Sequence, residues 1–104
     1  MSQDPVVVRL REQIADNDRA LVGGLNRRLE LVAELRAYKL ASGYELLDPA
    51  RESWLVEHLA SSNHGPLSPE GLREFCLTLL DLTKREVASS EGRASRTRPR
   101  SPRA

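Results

Sequence analysis

Three cations interrupt the apolar face of the first predicted helix. Arg28 occupies a heptad position that is otherwise apolar, and Arg11 and Lys39 share the neighbouring position. The apolar residues at these two positions are Ile14, Leu21, Leu25, Val32 and Leu35. Burying an unpaired charge costs free energy, so three cations on such a face require anionic partners. The pattern therefore predicts a binding site for a small anion.

The spacing of these cations decides which of them can act together. Arg28 and Lys39 lie eleven residues apart, so on a helix they point within about 20° of each other and lie about 16 Å apart. Two long side chains can converge from that distance on one small ligand. Arg11 lies about 25 Å from Arg28 along the same axis, beyond any shared small site. Arg11 can therefore join the site only from a second copy of the chain.

Three helices are predicted to position these residues, and the first is unusually long. It runs from Pro5, with Asp4 as its cap, to about Ala41, a length of about 54 Å. A compact monomer of this size is smaller than that, which again indicates a partner chain. The alternative is a hairpin that breaks at Gly23-Gly24, because each glycine costs up to about 1 kcal/mol relative to alanine in a helix.

Two shorter helices follow, and each opens with a capping residue and a proline. The second begins at Asp48-Pro49 and ends by Ser61–Gly65. The third begins at Ser68-Pro69 and runs to about Ala88. Apolar residues at helical spacing give each of these helices a face to bury. The predicted fold class is therefore all-α, a three-helix protomer with a long first helix.

The 104 residues divide into a helical domain, residues 1–88, and a tail, residues 89–104. The tail is predicted to be disordered because it has no large apolar residue. It carries a net charge of +4, which leaves −3 for the domain. The tail has neither interleaved aromatic residues nor a recognition helix, so nucleic acid is not an expected partner.

Composition also excludes several classes of protein. One cysteine, Cys76, allows neither an internal disulfide nor a thiolate metal cluster, and His58 and His64 lack partners at metal-ligand spacing. No run of about 18 apolar residues could span a membrane. The opening MSQDPVVVRLRE lacks the apolar stretch of a secretory signal. We therefore expect a cytoplasmic protein that binds neither a metal nor a membrane.

An ordered set of short motifs runs along the domain. They are Leu10-Arg11-Glu12-Gln13-Ile14, Asp18, Arg27-Arg28-x-Glu30-Leu31, Lys39 and Asp48-Pro49-Ala50-Arg51-Glu52. Each is weak alone, but the set with this spacing resembles the helical, AroQ-like type of chorismate mutase over about residues 8–88. The resemblance implies a cofactor-free isomerase of aromatic amino acid biosynthesis. It also implies that the long first helices interlock into an intertwined homodimer with two active sites.

The resemblance further implies roles for the basic residues. Chorismate is a dianion that rearranges to prephenate in one pericyclic step. Arg28 resembles the clamp for one substrate carboxylate, and Arg11 of the partner subunit resembles the clamp for the other. Lys39 resembles the donor to the ether oxygen, and Arg51 a further basic contact to the substrate. Bidentate arginine–carboxylate pairs and a preorganised cation suit these tasks.

Two acidic residues leave the choice of substrate open. Asp48, through its backbone, and Glu52 resemble the groups that hold the ring hydroxyl. They could equally face the amine of 4-amino-4-deoxychorismate, so a mutase for that substrate is an alternative. An isochorismate-pyruvate lyase is another alternative on the same scaffold. The alternative from a different class is a non-enzymatic helical dimer, an adaptor with a basic tail.

The resemblance is weaker in the third helix. The family typically has a serine that contacts a carboxylate and, four residues later, a glutamine that donates to the ether oxygen. Aligning the apolar stripe places Thr83 and Val87 at these positions, and sliding by one residue places Leu82 and Glu86 there. Val87 has no donor, and Glu86 donates only when protonated, so in the second register activity would fall as the pH rises. The sequence leaves both registers open.

Overall fold

The structure, a computed structural model, describes the backbone of residues 4–97 and the side chains of residues 4–89. This part of the chain folds into three α-helices and contains no strand. The helices are α1 (Pro5–Ser42), α2 (Pro49–Ser62) and α3 (Pro69–Thr97). The predicted all-α fold with a long first helix is confirmed.

Helix α1 begins where the sequence predicted. The Asp4 carboxylate accepts hydrogen bonds from the backbone N–H of Val6 at 2.8 Å and of Val7 at 3.4 Å, which satisfies donors that have no partner within the helix. The helix then continues through Gly23-Gly24. The alternative of a hairpin at these two glycines is therefore wrong.

The end of α1 is set by a glycine. Gly43 has a φ of 77°, a left-handed conformation that glycine adopts without steric cost. This geometry lets the N–H of Tyr44 donate to the carbonyl of Lys39 at 2.9 Å, the pattern of a Schellman cap. Lys39 thus lies in the last turn, where a cation interacts favourably with the helix dipole.

The starts of α2 and α3 also follow their capping residues. The Asp48 carboxylate accepts a hydrogen bond from Arg51 N at 3.1 Å, and Pro49 occupies the first turn of α2. In α3 the Ser68 hydroxyl accepts a hydrogen bond from Gly71 N at 3.0 Å. Both predicted starts are confirmed because caps and prolines act through residues within one turn of each other.

Helix α3 is longer than the sequence predicted. Its backbone stays helical to Thr97, beyond the predicted end at Ala88. The added residues, Ser89–Thr97, contain no proline, although five of the nine are serine, threonine or glycine, which have lower helix propensity. Lack of apolar residues therefore did not prevent a helix here. The rest of the predicted disordered tail, residues 98–104, lies outside the described residues.

The chain divides into two units, residues 1–31 and residues 32–104. In the second unit α2 and α3 pack against each other. Among the described residues the buried apolar side chains are Leu72, Cys76 and Val87, all on α3. Helix α1 has no buried residue. None of the helices in the described part of the chain combines the length and apolar character needed to cross a bilayer.

Candidate active site

Arg28 is the most shielded of the predicted cations on the first part of α1. Its side chain is half-buried, and this burial lowers the pKa of the guanidinium from its usual value. The adjacent Arg27 differs, because its side chain is 65% exposed and pairs with Glu30 at 3.3 Å on the surface. A guanidinium that is partly shielded from water forms stronger charge-assisted hydrogen bonds than an exposed one.

Arg11 lies near the start of the same helix and is exposed. Its neighbours Leu10 and Ile14 are also exposed, at 46% and 59%. A cation between exposed apolar side chains is typical of a surface that a partner covers. The placement of Arg11 is therefore compatible with the predicted role in a partner's site.

Lys39 is half-buried near the end of α1. It lies within the second unit, which also contains all the predicted site residues of α2 and α3. The Schellman cap at Gly43 fixes the backbone of its turn, from which the long Lys39 side chain extends.

The first turn of α2 carries three predicted site residues with different surroundings. The Asp48 carboxylate accepts a hydrogen bond from the backbone of its own helix. The contact to the ring hydroxyl that the resemblance implies for Asp48 uses its backbone and not this carboxylate. The Arg51 guanidinium carbon lies 3.8 Å from the ring centroid of Trp54, a cation–π contact. Trp54 in turn stacks on His58, with ring centroids 4.4 Å apart.

Glu52 faces the neighbouring helix and has a partner that the sequence analysis missed. Its Oε2 atom lies 3.0 Å from the Nζ atom of Lys84 on α3. Lys84 follows Thr83 in the sequence, but consecutive residues of a helix point about 100° apart. Nothing in the sequence therefore paired Lys84 with Glu52, because pairing across helices depends on how α2 and α3 pack.

The two candidate registers of α3 differ in burial. Thr83 and Val87 are both 5% exposed, whereas Glu86 is exposed and Leu82 is half-buried. The Thr83 hydroxyl donates to the carbonyl of Leu79 at 2.6 Å. Thr83 and Val87 thus lie on the face that α3 buries, and Glu86 lies on the face that it presents to solvent.

A groove of about 430 Å³ runs between α2 and α3. Its lining residues are Pro49, Glu52, Ser53, Val56, Glu57, Arg73, Leu77 and Leu80. Glu52 is the one predicted site residue among them, and the lining is otherwise largely apolar or acidic. This groove is therefore distinct from a site for a dianion. Within residues 4–97 no group of three or more His, Cys, Asp or Glu residues could hold a metal ion.

The sequence matches the family model of chorismate mutase type II over residues 10–87. The chain belongs to the chorismate mutase type II family. This match confirms the resemblance found in the motifs and contains every predicted site residue, from Arg11 to Glu86. It covers most of α1, all of α2 and α3 as far as Val87. No curated protein and no solved structure matches the chain.

Proposed function

We propose that this protein is a chorismate mutase, which converts chorismate to prephenate without a cofactor. The observation that carries the proposal is the family match over residues 10–87. That match contains the three basic residues whose positions on the first helix predict a site for a small anion: Arg11, Arg28 and Lys39. The guanidinium of Arg28 is half-buried, where a charge-assisted hydrogen bond to a carboxylate is stronger than at the surface.

The reaction makes modest chemical demands on the protein. One carbon–oxygen bond breaks and one carbon–carbon bond forms in a single cyclic electron shift, with no nucleophile and no proton transfer. Arg28 and Arg11 of the partner subunit clamp the two carboxylates, which holds the compact reactive conformer. Lys39 donates to the ether oxygen, where negative charge grows as the bond breaks.

The proposed site requires a homodimer, and the surface of α1 supports one. Large apolar side chains are exposed along the whole helix: Val6, Leu10, Ile14, Leu21, Val22, Leu31, Leu35 and Leu40. A Cβ added at Gly23 or Gly24 meets no atom within 4 Å, so a second helix has room to approach the backbone there. We infer that a second copy of α1 covers these side chains and brings Arg11 to the partner's site.

We further propose that Thr83 and Val87 occupy the serine and glutamine positions of the family. Val87 lacks the amide that would donate to the ether oxygen, so Val87→Gln is expected to raise kcat about tenfold. The same change should lower the free energy of unfolding by about 1–2 kcal/mol, because it buries an amide. Steady-state kinetics and urea denaturation measure the two effects.

Glu86→Gln is the matched control for this register. Glu86 is exposed, so its amide variant should keep kcat within about twofold of the original value. A large change in kcat with Glu86→Gln, together with no gain from Val87→Gln, would indicate the register that uses Leu82 and Glu86. In that register activity would also fall as the pH rises, whereas the proposed register predicts a flat profile between about pH 5 and 8.

The direct test is turnover of chorismate by the purified protein. Loss of the ultraviolet absorbance of chorismate, with prephenate as product, is the expected result. Formation of the 4-amino analogue of prephenate from 4-amino-4-deoxychorismate, or of pyruvate and salicylate from isochorismate, would assign one of the sister activities instead. A protein that is inert towards all three substrates would be the non-enzymatic adaptor.

A further inference from the structure

The ion pair between Lys84 and Glu52 joins two helices, unlike three other pairs among the described residues. Arg19–Asp16, Arg27–Glu30 and Arg85–Asp81 each join residues of a single helix. Lys84–Glu52 joins α3 to α2, with Nζ and Oε2 3.0 Å apart. A pair within a helix follows from sequence spacing alone, whereas this one exists because two packed helices bring opposite charges together.

The surroundings of this pair make its charge balance important. The Glu52 side chain is 36% exposed, and that of Lys84 is 56% exposed. The carboxylate is therefore partly shielded from water. Charges interact more strongly in such surroundings than in bulk solvent. Lys84 provides Glu52 with a counter-charge from the protein itself, so the carboxylate does not need a cation from the ligand.

We propose that Lys84 is a specificity-determining residue that makes the site select a neutral ring hydroxyl over a ring ammonium. This inference rests on the proposed function, in which Glu52 holds the group at position 4 of the substrate ring. A hydroxyl donates one hydrogen bond to Glu52 and leaves the pair with Lys84 intact. An amine on the same ring carbon is protonated near neutral pH, and its ammonium group meets the like charge of Lys84.

A purely structural role for the pair makes a different prediction. If Lys84 merely holds α2 against α3, its loss lowers the free energy of unfolding and changes kcat/KM equally for both substrates. If Lys84 sets the charge beside Glu52, its loss changes kcat/KM for the two substrates in opposite directions. The ratio of kcat/KM for chorismate to kcat/KM for 4-amino-4-deoxychorismate therefore separates the two roles.

The test compares this ratio in the full chain and in variants at positions 84 and 85. The unaltered protein should prefer chorismate, and Lys84→Met should lower the ratio about tenfold or more, chiefly through a lower KM for the amino substrate. Lys84→Arg keeps the charge and should keep the ratio. Arg85→Met is the matched control, because it removes one positive charge from the next residue, whose partner Asp81 is on the same helix.

A double variant tests whether Lys84 acts by its own charge. In a Glu52→Gln background, Lys84→Met should still lower the ratio, because the repulsion between Lys84 and the ring ammonium does not require the carboxylate. A ratio that stays within about twofold in Lys84→Met would overturn the role of Lys84, while the proposed function would stand. An unaltered protein inert towards both substrates would overturn the proposed function and this inference together. Thermal denaturation establishes that each variant is folded.

Discussion

Replacing Arg28 by alanine is expected to lower kcat/KM for chorismate by a factor of about a hundred to a thousand. The half-buried guanidinium is proposed to bind a substrate carboxylate in two parallel hydrogen bonds, and alanine offers no substitute. Both parameters should change, with KM rising because ground-state binding is lost and kcat falling because the reactive conformer is held less well. Steady-state kinetics on the purified variant measure the effect.

The neighbouring Arg27 provides the control for this experiment. It has the same chemistry and the same helix but is 65% exposed and pairs with Glu30 on the surface. Arg27→Ala should therefore change kcat/KM by no more than about twofold, since exposed ion pairs contribute little. Equal losses in the two variants would show that general charge near α1, rather than a clamp at Arg28, determines activity. Circular dichroism establishes that both variants keep their helices.

Mixing two inactive variants should restore about a quarter of the original activity, if each site draws on two chains. The variants are Arg11→Ala and Lys39→Ala, mixed in equal amounts, unfolded and refolded together. Half of the resulting dimers are then heterodimers, and each heterodimer contains one intact site and one that lacks both cations. Activity assays before and after refolding measure the recovery, and analytical ultracentrifugation measures the dimer.

A second mixture separates a shared site from simple subunit exchange. Arg28 and Lys39 are proposed to act in the same site from the same chain, so mixing Arg28→Ala with Lys39→Ala leaves no intact site in any dimer. This mixture should stay inactive. Recovery of activity in both mixtures would contradict the contribution of Arg11 across subunits. A lack of recovery in both mixtures, when heterodimers do form, would contradict it as well. A monomer at working concentration would contradict the proposed site as a whole.

The sequence was sufficient to predict the starts of all three helices and the continuous path of α1. Asp4, Asp48 and Ser68 accept the backbone hydrogen bonds that a cap must accept. These interactions join residues two or three positions apart, so their geometry follows from the chain itself. The family could also be recognised from the sequence, because its motifs lie at set spacings along two helices.

The predicted end of α3 at Ala88 is wrong. The absence of apolar residues after Ala88 predicts disorder, yet the backbone is helical to Thr97. Ser89–Thr97 contains no proline, so no residue in it blocks continuation of the helix from Ala88.

The register of α3 and the partner of Glu52 depended on packing. Periodicity allowed either Thr83 or Leu82 at the inner position, and burial against the other helix distinguishes them. The pair of Glu52 with Lys84 joins residues far apart in sequence. Caps, helix starts and cation spacing follow from neighbours along the chain, whereas burial and pairing between helices follow from the relative rotation of α2 and α3. Because that rotation is a property of the packed pair, one residue of slip changes which side chains meet.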